Sequence, residues 1–433
     1  MTTKKGGQQT FSRFLLLWVG QFISAIGSGL TSFGLGIYVY EQTNKASLMA
    51  LVTLCGFIPM LILSPLAGVL ADRYDRRLLM ILGDSLSLIG LIYLLVVVQS
   101  PNVTLWKICL GVMISATFST LIEPAYKATV SDMLLAEDYT KASGLMQLTS
   151  SAKYLISPVI AGLLLTIANI ELLILLDSGT IIMTIFTTMV VRKGLKIDKS
   201  YEHSTVSADL KLAWQAITQQ SGLVILVLLS AILTFLLGFI ELLSVPMILS
   251  FANTAVVGTI EAIVATGMLV SSVLLSIVPI KKSFTKYLAW SLFGEGFFMI
   301  LFGWRESIFL LCLSGFLFFA MMPFANTTLD FLIRVNVSPS LQGRVWSLIG
   351  VVSQLGFVAA YAFSGLLADY VFTPLLLEDG ALASSLGQLI GTGQGRGMGL
   401  LIMTAGLFLC ILALVIYRLQ SIKQLEKEVT YVL

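Results

Sequence analysis

Long apolar runs separated by short polar joints make up almost the whole chain, and this pattern excludes most folds at once. Twelve such runs cover residues 14–38, 48–70, 78–98, 105–125, 145–167, 172–191, 223–250, 256–280, 287–303, 308–333, 345–371 and 398–417. About twenty apolar residues suffice for a helix to cross the hydrocarbon core of a bilayer. In lipid each backbone N–H and C=O must be satisfied inside the spanning segment, which a helix does alone. Composition agrees: of 433 residues, 57% are hydrophobic and 11% are charged, whereas a soluble domain carries about a quarter charged residues. The expectation is an all-α membrane protein with twelve transmembrane helices in two six-helix halves.

Lys and Arg set the orientation, because they resist translocation. With the N-terminus inside, 21 of the 26 basic residues fall on the cytoplasmic side. Lys45, Lys107, Arg305 and Arg396 face outward, and Lys153 lies inside a span. Both termini are therefore expected in the cytoplasm. The first run is too long for a signal-peptide core and no small-residue cleavage site follows it, so it reads as a retained helix.

The longest cytoplasmic link divides the chain into a bundle over 1–195, a linker over 196–221 and a bundle over 222–433. Within the linker, Leu210, Ala213, Trp214 and Ile217 recur at helical spacing, which predicts a short helix on the membrane surface. Residues 372–397 read as an outer loop with a short surface helix near 381–390.

Several function classes drop out. Cys55, Cys109, Cys312 and Cys410 all lie in apolar runs without paired spacing, and the single histidine, His203, lies in the polar linker. No metal set, cofactor or disulfide framework is expected. The glycine-rich stretch at 391–399 follows no strand, so it is not a dinucleotide fingerprint. No basic stripe with interleaved aromatics supports nucleic-acid binding, and no nucleophile–base pair suggests an enzyme.

The densest cluster of charge is Gly68-Val69-Leu70-Ala71-Asp72-Arg73-Tyr74-Asp75-Arg76-Arg77, where five of ten residues are charged. Gly68 is expected to let the preceding helix approach a neighbour. Asp72 would end that helix, with arginines as partners. The pattern G-x-L-A-D-R-x-D-R-R resembles the signature loop between helices 2 and 3 of the major facilitator superfamily. Ser157-Pro158-Val159-Ile160-Ala161-Gly162 is similar to that superfamily's antiporter motif, with Ser157 and Ala161 where glycines are usual. Pro158 would kink its helix. The superfamily's usual arginine inside helix 4 is missing. Residues 20–28 and Glu123-Pro124-Ala125-Tyr126 resemble the macrolide and multidrug efflux group.

Ionisable residues inside spans are costly and mark functional sites by default. Lys153 and Glu295 are expected near mid-membrane, Asp177, Glu241 and Glu261 in the outer half, and Asp84, Glu123 and Asp330 near the cytoplasmic ends. The acids with Lys153 are candidates for proton coupling or substrate contact, ranked Glu241, Glu295, Glu261 in the second half. Glu123 is also a candidate for meeting substrate at the inner mouth. Asp72, with Arg73 or Arg76, is expected to act as a conformational switch, pressing on the span that starts beside Arg344 and pairing with Asp132. Trp18, Tyr38, Phe235 and Phe297 are candidate cavity aromatics.

The resemblance implies a monomeric secondary transporter in the bacterial cytoplasmic membrane. Its implied function is export of an amphipathic small molecule, a drug or natural product, by proton antiport with alternating access. An importer or uncoupled facilitator is the alternative, and a non-transporting sensor is a more distant one.

Overall fold

The computed structural model describes residues 2–101, 103–134, 139–192, 214–277, 280, 282–337 and 341–430. Among these every long element is helical. Eleven helices are long and apolar enough to cross a membrane. The expected span at 145–167 lies in a helix, Tyr139–Leu164, that is not among those eleven. The polar stretch 139–153 of that helix, with Lys141, Lys153 and several serines and threonines, dilutes the apolar window.

The chain divides into two compact units. The first takes Met1–Asn44 and Leu51–His203, the second Lys45–Ala50 and Ser204–Leu433. The first unit contains α1 (Thr2–Thr43), most of α2 (Ala46–Arg73), α3 (Arg76–Gln99), α4 (Leu105–Ser119), α5 (Ile122–Met133), α6 (Tyr139–Leu164) and α7 (Ile170–Arg192). The expected fourth span bends at Thr120, whose hydroxyl donates to Ala116 O at 2.8 Å, and resumes as α5. Helix α1 packs on α6 and α7. Small residues permit the approach, as in membrane bundles generally: a Cβ at Gly29 would lie 2.9 Å from Lys153 O, and one at Gly34 would meet Leu173.

The second unit contains α8 (Ser221–Leu249), α9 (Thr254–Ile277), α10 (Phe284–Trp304), α11 (Ile308–Asn336), α12 (Gln342–Leu367), α13 (Gln394–Arg418) and α14 (Gln420–Thr430). Helix α10 packs on α13 and α11, α8 on α12, and α9 on α11. The α10–α13 seam is made of glycines: Cβ atoms at Gly296 and Gly406 would each lie 2.6 Å from the other's carbonyl oxygen. Arg396, expected at an outer loop, is instead 2% exposed. It donates to Gly303 O and Trp304 O at 2.7 and 2.8 Å, so it caps the carbonyl end of α10. The stretch expected as an outer loop holds a π-helical turn at Ala368–Phe372 and short helices at Thr373–Leu376 and Leu386–Ile390. Asp369 accepts from Ala46 N at 3.2 Å and Ser47 N at 2.8 Å, capping the first turn of α2, which belongs to this unit.

Most of the linker, with Leu210 and Ala213, lies outside the described residues. A short helix covers 214–218, with Ile217 buried and Trp214 exposed.

Candidate functional site

The second unit gathers two of its acids. Glu241 on α8 and Glu261 on α9 are joined through Ser244, one turn beyond Glu241. The Ser244 hydroxyl lies 3.2 Å from Glu261 Oε1 and 3.5 Å from Glu241 O. Tyr361 on α12 donates to Glu241 Oε2 at 3.0 Å. Pro246 follows within the same helix and cannot donate to the carbonyl four residues back, which loosens α8 beside the pair. Glu241 is not covered by protein and Glu261 is half-buried. Ser244 and Tyr361 were not singled out from sequence. A hydroxyl three residues after an intramembrane glutamate, and a tyrosine within a span, are the signals that point to them.

Glu295 is placed differently. It is 5% exposed on α10, and its Oε1 has no hydrogen-bond partner among the described residues. It lines a cavity of about 390 Å3 inside this unit, together with Thr234, Asn326, Trp346, Ser353 and Phe357. Neither Glu241 nor Glu261 lines it. The aromatics expected at a cavity are not those found there. Phe297 is 46% exposed beside Phe298, and Phe235 packs on Phe239. Trp18, in the first unit, donates its indole N–H to Leu145 O at 2.8 Å. Helical rotation decides which span aromatics turn inward, and periodicity is weak where every face is apolar.

In the first unit Asp177 on α7 is 3% exposed, lies in the field of Lys153, and has no partner for Oδ1 among the described residues. Asp84 on α3 is 2% exposed and Oδ2 likewise lacks one. Sequence reasoning placed Asp84 near the cytoplasmic end of its span without saying which way it faces. The stripe Gly83-Ser87-Gly90 on its helix, with Gly90 tight against Ser115 N, marks this face as a packed one. On α6, Ser157 is fully buried and donates to Ile26 O at 3.0 Å. It sits where a Cβ on Gly29 would fall, so the serine in the motif fills space that α1 leaves open. Pro158 lies inside α6, and Gly162 is buried four residues on. Glu123 forms an exposed ion pair with Lys127 at 2.6 Å.

In the basic loop Asp75 caps α3 by accepting from Arg77 N at 3.1 Å, and its other oxygen accepts from Arg192 Nε at 2.9 Å. Arg76 donates to Ala71 O at 3.2 Å, Ala128 O at 3.1 Å and the Asp132 carboxylate. Arg77 is buried. Gly68 was expected at a close helix contact; among the described residues a Cβ there would meet nothing within 4 Å. The side chains of Asp72, Arg73 and Arg344 lie outside the described residues.

Two helical units of membrane-spanning helices, with acids buried inside each, define a multi-pass membrane transporter. The family model of the Major Facilitator Superfamily matches residues 17–361, and the chain belongs to that superfamily. Among its curated relatives is Macrolide efflux protein A of Streptococcus pyogenes. It is 25% identical over 371 residues, covering 83% of this chain and 90% of the relative. Enterobactin exporter EntS of Shigella boydii is 29% identical over 166 residues, 37% of this chain and 39% of that one. Among solved structures, the nucleoside transporter NupG aligns with a TM-score of 0.74 at 12% identity, covering 94% of this chain and 99% of that one. At that identity the structural likeness speaks for the fold. Both of these sequence relatives carry efflux or exporter in their names.

Proposed function

We propose that this protein exports amphipathic small molecules across the bacterial cytoplasmic membrane in exchange for protons, by alternating access. The observation that carries this reading is a pair of hydroxyl-bonded acids on neighbouring helices, with Glu241 accepting from Tyr361 and Glu261 accepting from Ser244, which lies on the helix of Glu241. A charged carboxylate near the bilayer centre costs about 3 kcal/mol on insertion scales, and taking up a proton removes that charge. Glu261 accepts from Ser244 and Glu241 accepts from Tyr361, so each carboxylate has a hydroxyl beside it through which a proton can be handed on as the helices move. Similarity to macrolide efflux protein A over 83% of the chain supports export and an amphipathic cargo. The basic loop acts as the switch, with Asp72 and Arg76 holding one conformation, and it lies on the cytoplasmic side with both termini. The protein works as a monomer.

The test is accumulation of a radiolabelled macrolide in inverted membrane vesicles. Uptake driven by an acid interior and abolished by a protonophore supports proton-coupled export. Equal uptake with and without the gradient would make an uncoupled facilitator the better reading, and uptake only into right-side-out vesicles would make it an importer.

A further inference from the structure

The cavity in the second unit has a polarity of one kind. Its lining includes Glu295 and Asp330 and, among the described residues, no Lys, Arg or His. Arg334 holds both oxygens of Asp330, at 3.0 and 3.2 Å. Glu295 is therefore the carboxylate in this cavity without a countercharge among the described lining residues, and its Oε1 is buried and unpartnered among them.

The hydroxyl groups of the wall have already used their protons. Ser230 donates to Val227 O at 2.7 Å, Thr234 to Ser353 O at 2.8 Å, and Ser353 to Ser230 Oγ at 3.4 Å. What they turn to the cavity is lone pairs. The Trp346 indole N–H is an unpartnered donor on the same wall. Asn326 adds an amide that can donate and accept, and the rest is apolar, chiefly Leu233, Phe318, Met322 and Phe357. A cavity near 390 Å3 is in the usual range for a small-molecule site.

An anion would meet a carboxylate and lone pairs. A neutral polyol would leave its own donors competing for few acceptors and its carbons no advantage over water. A singly charged ammonium on an apolar body satisfies every feature: N–H donors to Glu295, carbon against the aromatic and aliphatic wall, and an ether or carbonyl oxygen for Trp346. We propose that this cavity binds monocationic amphipathic amines, with Glu295 as the residue that receives the ammonium. This rests on the reading of the chain as an exporter of amphipathic molecules and names the class.

Glu295 is held for this task by its neighbours. A Cβ at Gly296 would lie 2.6 Å from Gly406 O, and one at Gly294 would lie 3.1 Å from the Met321 side chain. Helix α10 is thus gripped on both sides of the carboxylate, which limits how far the glutamate can retreat from the cavity.

Binding, not transport, tests the proposal, so its failure is distinct from failure of antiport. The full chain in nanodiscs, with no gradient, is titrated with dansylcadaverine and with its uncharged N-acetyl derivative, and empty-nanodisc signal is subtracted. Dansylcadaverine is expected to bind at least tenfold more tightly than the acetylated probe. Glu295→Gln is expected to weaken the amine at least tenfold and leave the acetylated probe within twofold. Ser353→Lys, which adds an ammonium to the cavity while leaving α10 intact, should reproduce that loss if Glu295→Gln fails to fold. Equal binding of the two probes by the unaltered protein, or an amine preference that survives both substitutions, would overturn the assignment.

Discussion

Tyr361 on α12 donates its phenolic proton to Glu241 on α8 across 3.0 Å, and Ser244, one turn further along α8, donates to Glu261 on α9. Three helices of one unit are thus tied together through two carboxylates. A hydrogen bond to a charged acceptor contributes roughly 1.5–3 kcal/mol. Tyr361→Phe should slow gradient-driven transport about tenfold, and Tyr361→Phe with Glu241→Gln should be no slower than Glu241→Gln alone. Initial rates in vesicles measure this. Losses that multiply would mean that the two residues act independently.

The glycine seam between α10 and α13 is a packing claim with a clean control. Gly296→Ala forces a methyl against Gly406 O and Cys410 N, at 2.6 and 2.8 Å, and should cost about 1–3 kcal/mol, as overpacking does. Gly350→Ala on α12 meets nothing within 4 Å and should leave stability unchanged or raise it by up to about 1 kcal/mol. Thermal unfolding of the two purified variants in one detergent decides it. Equal melting temperatures would show that the seam can relax.

Arg76 and Asp132 separate a switch from a brace. Their side chains are 28% and 45% exposed, and such pairs add at most about 1 kcal/mol to stability. Asp132→Asn should therefore shift melting little while lowering transport severalfold, and Asp72→Asn should do the same. A fall in melting temperature that parallels the loss of transport would assign the pair a structural role.

Ser157→Ala removes the proton that Ile26 O accepts at 3.0 Å and should cost about 1 kcal/mol. Ser157→Gly, which restores the superfamily's usual residue, should cost more, because it also opens a gap against Gly29. If the glycine variant melts higher than the alanine variant, space filling is not what the serine does.

What the sequence made legible follows from where physical constraint is one-dimensional. Span length depends only on chain position, and runs such as 223–250 and 308–333 correspond to α8 and α11 within a few residues. The charged cluster at 68–77 was visible because charge is rare in this chain. Facing directions were not legible. Asp84 was placed by depth alone and is buried, and Gly68 was read as a contact glycine, whereas a Cβ there would meet nothing within 4 Å among the described residues. In a helix that is apolar all round, no moment tells one face from another. Tyr361 and Ser244 became site residues only when three helices were brought together. Arg396 needed the end of α10 beside it before its burial made sense.

The central claim is that Glu241 and Glu261 carry the protons exchanged for cargo. Its most direct measurement is the count of protons released per macrolide moved in proteoliposomes, for the unaltered protein, Glu241→Gln, Glu261→Gln and the double variant. The account predicts substrate-driven proton movement in the first, its loss in Glu241→Gln and in the double variant, and downhill macrolide exchange retained in all. Unchanged proton movement in the double variant would contradict it.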